Sequence, residues 1–268
     1  MQKTMNPLSG RVVVITRRAA AAARLRSALV DLGATVKVVP TTQQIRVRDT
    51  AAIDRAIRTE TGYTHIAFTS PLAVRFFLEI TAALGAATAP WRAARIAAVG
   101  PGTMSTLEEA GLKPAITSSS GGGEALARIL LEDEKLGSGH RVLLPQSRIA
   151  RPELRSRLEE AGVEVKAIAV YDTVPVKQAT IDPFLQWLAE GHTPAGITFA
   201  SPSALDAFLE LTGKRGRELL ANPSVGVVSI GATTSQAIGK EGLRVAAEAM
   251  EPTTEGLVEA TVRALAIA

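Results

Sequence analysis

The chain has 268 residues, 46% of them hydrophobic and 21% charged, which predicts a globular protein of one large or two ordinary domains and excludes a disordered chain. It contains no cysteine, which excludes disulfides, thiolate metal sites and a cysteine nucleophile. The formal net charge of +4 favours a polyanionic ligand, but the basic residues are scattered and only 4% of the chain is aromatic, so we expect no binding to nucleic acid.

The sequence shows no clear signal for export or membrane insertion. Arg17-Arg18 precede a run of alanines, but Arg24 and Arg26 interrupt that run before it reaches the length of an export signal. No stretch approaches the ~18 uninterrupted apolar residues of a membrane-spanning helix. We therefore predict a soluble, cytoplasmic protein with no membrane partner.

In chain order, the first element pattern is a strand, a helix and a second strand over residues 11–40. The first strand is of the buried type, the helix has apolar residues at i, i+3 and i+4, and Gly33 stands at its end. Residues 141–169 repeat this pattern, with Gly162 in the place of Gly33. The chain therefore contains this kind of module twice.

A second kind of module also occurs twice, and its copies alternate with those of the first. It begins with a short strand, a Ser-Pro step and an amphipathic helix. Because strands alternate with helices throughout, we predict an α/β protein with parallel sheets built from βαβ units. One constant offset relates the two copies, matching Ile66–Pro71 with Ile197–Pro202, Val99-Gly100 with Ile230-Gly231, and Thr103 with Thr234.

The pattern alone leaves two domain arrangements open. In a tandem arrangement, each module of the first kind folds with the second-kind module that follows it. In an exchanged arrangement, the N-terminal module folds with the C-terminal third, and the middle of the chain forms its own domain. The candidate crossing points are Pro40–Thr42 and Tyr171–Pro175, where strands run into proline, threonine and polar residues. Side by side, these two linkers would form a hinge with a cleft beside it.

The loops that follow the strands are the expected ligand sites, because the carboxyl ends of parallel strands meet the N–H groups of helix starts there. Ser70-Pro71 and Ser201-Pro202 suit a helix N-cap followed by proline, so each serine is either a cap only or a cap that also contacts ligand. In Gly100–Thr103 and Gly231–Thr234, glycine permits close backbone approach and threonine offers a hydroxyl. Neither loop matches a P-loop or a dinucleotide-binding fingerprint.

Few side chains are suited to acid–base, nucleophilic or metal chemistry. His65, His140 and His192 share no ligand spacing, so we expect no metal site. There is no Gly-x-Ser-x-Gly nucleophile motif. Tyr171 stands at a candidate crossing point, where its hydroxyl can donate a proton or a hydrogen bond, and a packed linker tyrosine is the alternative. The chain thus either binds a ligand without reacting or catalyses a reaction that mostly requires positioning.

The order and spacing of these motifs together resemble the uroporphyrinogen-III synthase family, from Arg11 to Leu265. Each motif is unspecific by itself, and the combination is specific. The residues that carry the resemblance are Phe68–Pro71, Val99–Thr103, Leu143–Ser147, Val170–Thr173, Phe199–Pro202 and Ile230–Thr234.

The resemblance implies two similar α/β domains, each a parallel sheet flanked by helices, joined by a two-stranded linker. It implies the exchanged arrangement, with residues 1–40 and 174–268 in one domain and 41–173 in the other. It also implies a cofactor-free lyase of heme and porphyrin biosynthesis. Such an enzyme cyclises hydroxymethylbilane, a linear, carboxylate-rich tetrapyrrole, with inversion of ring D and loss of water, to give uroporphyrinogen III. We expect a monomer whose partner is this small-molecule substrate.

The resemblance also implies roles for individual residues. By position, Tyr171 matches the tyrosine that is proposed in the family to assist departure of the substrate hydroxyl. The positions that match substrate-carboxylate contacts are Ser70, Thr103, Ser201 and Thr233, and we include Thr234 among the predicted substrate-binding residues.

One position departs from the family pattern. Many members have arginine after the first Ser-Pro step, where this chain has Leu72. This departure removes one expected charge contact with the substrate. Arg17, Arg18 or Arg148 could supply the missing charge, and we include Arg17 and Arg148 among the predicted substrate-binding residues.

A non-catalytic two-domain binding or regulatory module on the same scaffold is the main alternative, because fold does not determine function. A nucleotide-binding or DNA-linked regulator would require a phosphate fingerprint or a recognition helix, and the sequence contains neither. The formation of uroporphyrinogen III from hydroxymethylbilane separates the enzyme from both alternatives.

Overall fold

The computed structural model describes residues 6–85, 90–119 and 122–266. The strands are β1 (Val12–Ile15), β2 (Thr35–Val38), β3 (Thr42–Arg46), β4 (His65–Phe68), β5 (Arg95–Val99), β6 (Ile116–Ser118), β7 (Arg141–Ser147), β8 (Glu164–Pro175), β9 (Gly196–Phe199), β10 (Gly226–Ser229) and β11 (Ala247–Glu248). The α-helices are α1 (Ala19–Asp31), α2 (Ala51–Arg58), α3 (Pro71–Ala83), α4 (Pro101–Glu109), α5 (Gly122–Arg128), α6 (Glu153–Glu160), α7 (Asp182–Ala189), α8 (Pro202–Ala221), α9 (Ala232–Lys240) and α10 (Thr254–Leu265).

Contacts group the described residues into two compact units. The first unit comprises the residues up to Gln43 together with those from Val174 onward. The second unit runs from Gln44 to Thr173. The chain therefore passes between the units twice, once along β3 and once along β8.

β3 and β8 are neighbours in one sheet and form a two-stranded linker. The Val176 N–H donates to the Thr41 carbonyl at 2.9 Å, and the Val47 N–H donates to the Val170 carbonyl at 3.3 Å. Because the residue numbers rise along β3 while those of their partners fall along β8, the two strands run antiparallel. This pairing confirms the two-stranded linker that the family resemblance implies.

The first unit is built on a five-stranded parallel sheet in the order β11-β10-β9-β1-β2. β1 reads Val-Val-Val-Ile, and its last three residues are fully buried, as expected for a strand that is covered on both faces. β1 pairs directly with β9, so the first strand of the chain lies in the same sheet as the C-terminal third. This pairing is the one that the exchanged arrangement requires, and the domain bounds stay a prediction.

Helices cover both faces of this sheet. Leu25 and Leu29 of α1 pack with Leu257 of α10 on one face. Leu205 of α8 and Ile238 of α9 belong to the apolar cluster on the other. The pattern of buried residues thus matches the predicted α/β class with a parallel sheet between helix layers.

The second unit has a six-stranded sheet in the order β3-β8-β7-β4-β5-β6, in which β8, β7, β4, β5 and β6 run parallel. Successive residues of β4 point to opposite faces. Phe68 packs with Phe77 of α3 and with Trp91, whereas Ala67 packs with Leu158 of α6. This unit is therefore also a sheet between two helix layers, which confirms the predicted pair of similar α/β units.

Each sheet has one point at which the order of its strands changes direction. In the second unit, β5 and β6 follow on one side of β4, while β7 and β8 lie on the other side. In the first unit, β2 lies on one side of β1, while β9, β10 and β11 lie on the other. Open parallel sheets bind ligands beyond the carboxyl ends of the strands at such switch points. The loops after β4 and β7, and those after β1 and β9, are therefore the places to look for a site.

A buried histidine begins β4 of the second unit. It therefore lies at the amino end of the strand, away from the loops after β4 and β7. His65 is 4% exposed, its Nδ1 lies 3.0 Å from the Thr64 hydroxyl, and its Nε2 has no hydrogen-bond partner among the described residues. Burial lowers the pKa of His65 below its ordinary value, the charges of Arg95 and His140 lower it further, and Glu134 opposes them. Folding therefore favours the neutral imidazole.

We predict that this histidine makes the protein less stable in mild acid. As the pH falls through the ordinary histidine pKa of about 6.5, the unfolded chain takes up the proton more readily than the folded one, so the free energy of unfolding decreases until the lower, folded-state pKa is passed. Urea unfolding at several values between about pH 7 and pH 5 should show a steeper loss for the wild type than for His65→Gln. Identical pH dependence in the two proteins would contradict the prediction.

Candidate active site

A cavity of about 530 Å³ lies at the switch point of the second unit, beyond the carboxyl ends of β4 and β7. Its size is typical of pockets that bind small molecules. Its position is the one that parallel-sheet topology favours. The wall consists of the loop after β4 (Thr69, Ser70), the start of α5 (Gly122, Gly123, Glu124), the end of β7 with the loop into α6 (Gln146, Ser147, Ile149, Ala150, Arg151, Glu153, Leu154) and Tyr171 of β8.

Ser70 begins α3 and lines the cavity. Its backbone is extended, its Oγ accepts the Ala73 N–H at 3.1 Å, and Pro71 occupies the first helical position. Capping uses only one lone pair of the hydroxyl, so its proton can still be donated to a ligand. The cap and the ligand contact that the sequence suggests are therefore compatible.

Tyr171 lies on β8 opposite Ser147, where the register between β7 and β8 shifts. Its ring stacks on Phe76 of α3, with the ring centroids 5.4 Å apart and an interplanar angle of 24°. Within the described part of the chain, no group hydrogen-bonds the Tyr171 hydroxyl. The ring is thus held in place on the cavity wall while its hydroxyl is available to a ligand.

The loop from β7 into α6 carries two arginines in different surroundings. Arg148 hydrogen-bonds Asp172 through Nε at 2.7 Å and Nη2 at 3.4 Å. The hydrogen bond and the charge of Asp172 raise the pKa of Arg148 above its ordinary value. Arg148 is not part of the cavity wall, whereas Arg151 is part of it and has no ion-pair partner among the residues that the structure describes. Of the two arginines, Arg151 lines the cavity and Arg148 is paired with Asp172, and a substrate contact from Arg148 stays a prediction.

The sequence motifs do not indicate Arg151, and the same holds for two other wall residues, Ile149 and Glu153. Each lies at the end of a strand, at the start of a helix or in the loop between them. This position is a signal from which the sequence could have indicated these residues, because ligand sites are predicted in the loops after the strands. Residue type alone could not show which of Arg148 and Arg151 is free to bind a ligand, because that depends on the ion pair between Arg148 and Asp172.

Thr103 lies in the first turn of α4, but it is only 1% exposed and is not part of the cavity wall. Gly100 caps this helix with a φ of 79°, in the left-handed region that favours glycine. A Cβ on Gly102 would lie 3.4 Å from Cγ of Pro71, so glycine lets α4 begin close to the start of α3. A carboxylate contact from Thr103 stays a prediction, and it would require the start of α4 to move.

In the first unit, Ser201 and Arg17 follow β9 and β1, the two strands at its switch point. Ser201 caps α8, since its Oγ accepts the Ala204 N–H at 3.2 Å. Arg17 is half-buried, burial lowers its pKa below the ordinary value, and it has no ion-pair partner within the described ranges. Both residues therefore stand at the carboxyl edge of their own sheet.

Thr233 and Thr234 lie in the first turn of α9, directly after β10. Thr233 is exposed, whereas Thr234 is only 2% exposed. Of this predicted pair, Thr233 is the residue that presents its side chain at the surface. Substrate contacts from either threonine stay predictions.

Over residues 6–85, 90–119 and 122–266, no group of three histidine, aspartate or glutamate side chains lies close enough to hold a metal ion. The same ranges contain no helix that is both long and apolar enough to cross a membrane. The polar side chains on the cavity wall carry hydroxyl, carboxamide, carboxylate and guanidinium groups.

Comparisons with known proteins agree with the motif pattern. The model of the family "Uroporphyrinogen-III synthase HemD" matches residues 23–259. The chloroplastic uroporphyrinogen-III synthase of Oryza sativa subsp. japonica is 30% identical over 264 residues, which cover 94% of this chain and 80% of that protein. The uroporphyrinogen-III synthase of Chlorobaculum parvum is 28% identical over 244 residues, covering 88% of this chain and 91% of that protein.

A solved structure has the same fold. The uroporphyrinogen-III synthetase of Helicobacter pylori superimposes with a TM-score of 0.61 at 18% sequence identity, covering 94% of this chain and 98% of that one. At this identity the likeness supports the fold, while the family model, which spans most of the chain, supports the relationship. The chain therefore belongs to the uroporphyrinogen-III synthase family, as the order of its motifs indicates.

Proposed function

We propose that the protein is an active uroporphyrinogen-III synthase, a lyase that cyclises hydroxymethylbilane with inversion of ring D and loss of water to give uroporphyrinogen III. The observation that carries this proposal is the match of the family model to residues 23–259. The position of Tyr171 on the wall of a cavity at a topological switch point supports it.

The reaction requires positioning more than strong acids or bases. Loss of the hydroxyl from the terminal hydroxymethyl carbon leaves a resonance-stabilised azafulvene. The pyrrole at the other end then attacks that carbon through its own substituted carbon and gives a spiro intermediate. The original bond between this pyrrole and its methylene bridge then breaks, and the methylene carbon bonds to the free α-carbon of the same pyrrole, which gives the inverted macrocycle. Direct closure without inversion competes, so the protein must hold the correct carbon at attack distance.

In this mechanism Tyr171 assists departure of the hydroxyl. Its O–H gives a proton to the leaving oxygen, which departs as water. The α-carbon proton of the last pyrrole is lost when that pyrrole ring regains aromaticity, which balances the proton that was given up. Support for this role comes from the hydroxyl, which has no partner among the described residues, and from the stacking of the ring on Phe76. A general acid must reach the leaving group with a well-defined geometry.

Hydroxyls and helix starts after the strands bind substrate carboxylates in this proposal. Ser70 and Ser201 each cap a helix whose first N–H groups attract an anion. Thr233 adds a hydroxyl and Arg17 adds a positive charge. That charge would compensate for the arginine that many family members have and that this chain replaces with Leu72. The remaining predicted contacts have less support, because Thr103 and Thr234 are enclosed and Arg148 is paired with Asp172.

The decisive experiment is to incubate the purified protein with hydroxymethylbilane and to separate the type III and type I isomers of the product. We expect the type III isomer to form faster than spontaneous closure yields the type I isomer. If the type I isomer alone forms, at the spontaneous rate, the enzyme assignment is overturned and a binding or regulatory module on the same scaffold remains.

The proposal extends to the organisation of the protein. We propose a monomer that acts in the cytoplasm without a cofactor, with domains at 1–40 plus 174–268 and at 41–173. The lack of cysteine fits a reducing compartment, and each unit has its own apolar clusters. Sedimentation velocity over a range of concentrations should show one species of monomer mass, and a concentration-dependent dimer would contradict the monomer.

A further inference from the structure

The loop between β7 and α6 exposes an apolar side chain at the cavity. Ile149 is 62% exposed and forms part of the wall. Exposed large hydrophobic side chains in the described ranges are Val30, Ile149 and Met250, and of these Ile149 alone lines this cavity. Solvent exposure of an isoleucine contributes nothing to folding, so covering it with the apolar face of a ligand would be favourable.

Arg151 is the cationic side chain on the same wall. Two carboxylates also lie there, Glu124 in the first turn of α5 and Glu153 in the first turn of α6, where the helix N-termini stabilise them. An anionic ligand group is therefore attracted at Arg151 and repelled by the two glutamates. This arrangement favours one orientation of a ligand that is apolar on its face and acidic at its edge.

The loop is tied to its surroundings on both sides of Ile149. The Arg148 N–H donates to the Tyr171 carbonyl at 3.1 Å, and the Ala150 N–H donates to the Ser147 carbonyl at 3.1 Å. The Ile149 N–H lies 3.3 Å from the Ser147 hydroxyl oxygen, which accepts it. Because these bonds are made within the protein itself, little ordering of the loop would be needed on binding.

We propose that this loop binds one pyrrole ring of the substrate, with Ile149 against the ring face and Arg151 on a carboxylate of the same ring. The inference rests on the proposed function and adds a specific subsite to it. Each pyrrole of hydroxymethylbilane has a flat apolar face and acidic side chains at its edge, which is the combination that Ile149 and Arg151 match. Both residues then determine how that ring is oriented relative to Tyr171.

The test compares Arg151→Gln and Ile149→Ser with the wild type in the hydroxymethylbilane assay. We expect Arg151→Gln to raise KM about 10-fold, the loss for one hydrogen-bonded charge, with a smaller change in kcat. Ile149→Ser should raise KM several-fold while Tm stays unchanged, because the side chain is largely exposed in the free protein. Arg151→Lys, which keeps the charge, should recover part of the affinity.

Arg155→Gln is the matched control. Arg155 lies on the outer surface of α6, pairs with Glu159 at 2.7 Å and does not line the cavity, so its loss removes one positive charge without touching the subsite. A rise in KM equal to that of Arg151→Gln would overturn the proposal, since only net charge would matter. Wild-type KM in Arg151→Gln and Ile149→Ser would also overturn it and leave the proposed function intact. A wild-type protein that forms no type III isomer would instead overturn the proposed function itself.

Discussion

Replacing Tyr171 with phenylalanine is expected to lower kcat for uroporphyrinogen III formation by about 10-fold or more, with a smaller change in KM. The change removes one oxygen and keeps the ring that stacks on Phe76, so the cavity wall should retain its shape. Assistance to the leaving hydroxyl operates in the transition state, and its loss therefore appears in kcat. Steady-state kinetics with separation of the two isomers measures both the rate and any shift toward spontaneous type I product.

The other tyrosine of the chain serves as the control. Tyr63 is 7% exposed, its hydroxyl donates to Glu60 at 3.0 Å, and it does not line the cavity. Tyr63→Phe should lower the free energy of unfolding by about 1 kcal/mol, the value of one hydrogen bond, and leave kcat unchanged. Wild-type kcat in Tyr171→Phe would assign Tyr171 a packing role only.

The largest loss of stability is expected from Phe77→Ala. Phe77 is fully buried and meets Phe68 and Trp91 edge-on, with ring centroids 5.6 Å and 4.9 Å apart. Removing a buried phenylalanine ring leaves a cavity and costs about 3–5 kcal/mol of unfolding free energy. Urea unfolding measures this loss, and it should be accompanied by lower activity because the same helix carries Ser70 at its start.

Phe76→Leu is the matched comparison, since Phe76 is the preceding residue on the same helix and lies half-buried against Tyr171. A swap that keeps an apolar side chain of similar size should cost less than about 1.5 kcal/mol of stability. It removes the ring that supports Tyr171, so kcat should fall while the protein stays folded. Equal losses of stability in Phe76→Leu and Phe77→Ala would contradict the packing described for α3.

Several elements of the fold follow from short-range chemistry and could be predicted without coordinates. The Ser-Pro steps predict that Ser70 and Ser201 cap helices, because a serine before proline can accept a free N–H group at a helix start, and both serines do so. The buried-type run of β1 predicted a strand covered on both faces, and the structure has one. Both predictions are made from residue types that stand close together in the chain.

The candidate site could be predicted only in outline. The expected location after the strands agrees with the cavity, because it follows from the direction of parallel strands. The sequence could not distinguish Arg148 from Arg151, since the Asp172 partner of Arg148 is on a different strand. It also could not show that Thr103 and Thr234 are enclosed, because burial depends on helices that pack over them.

Periodicity, caps and motif order were enough to predict an α/β protein made of repeated modules and to indicate its family. The partners of those modules could not be derived from periodicity, because strand pairing joins segments that are far apart in the chain. Thr16 Oγ1, for example, donates to the Thr198 carbonyl across a separation of 182 positions. The tertiary structure alone decides that β1 pairs with β9, since the best cover for a strand buried on both faces depends on the packing of the whole sheet and its two helix layers.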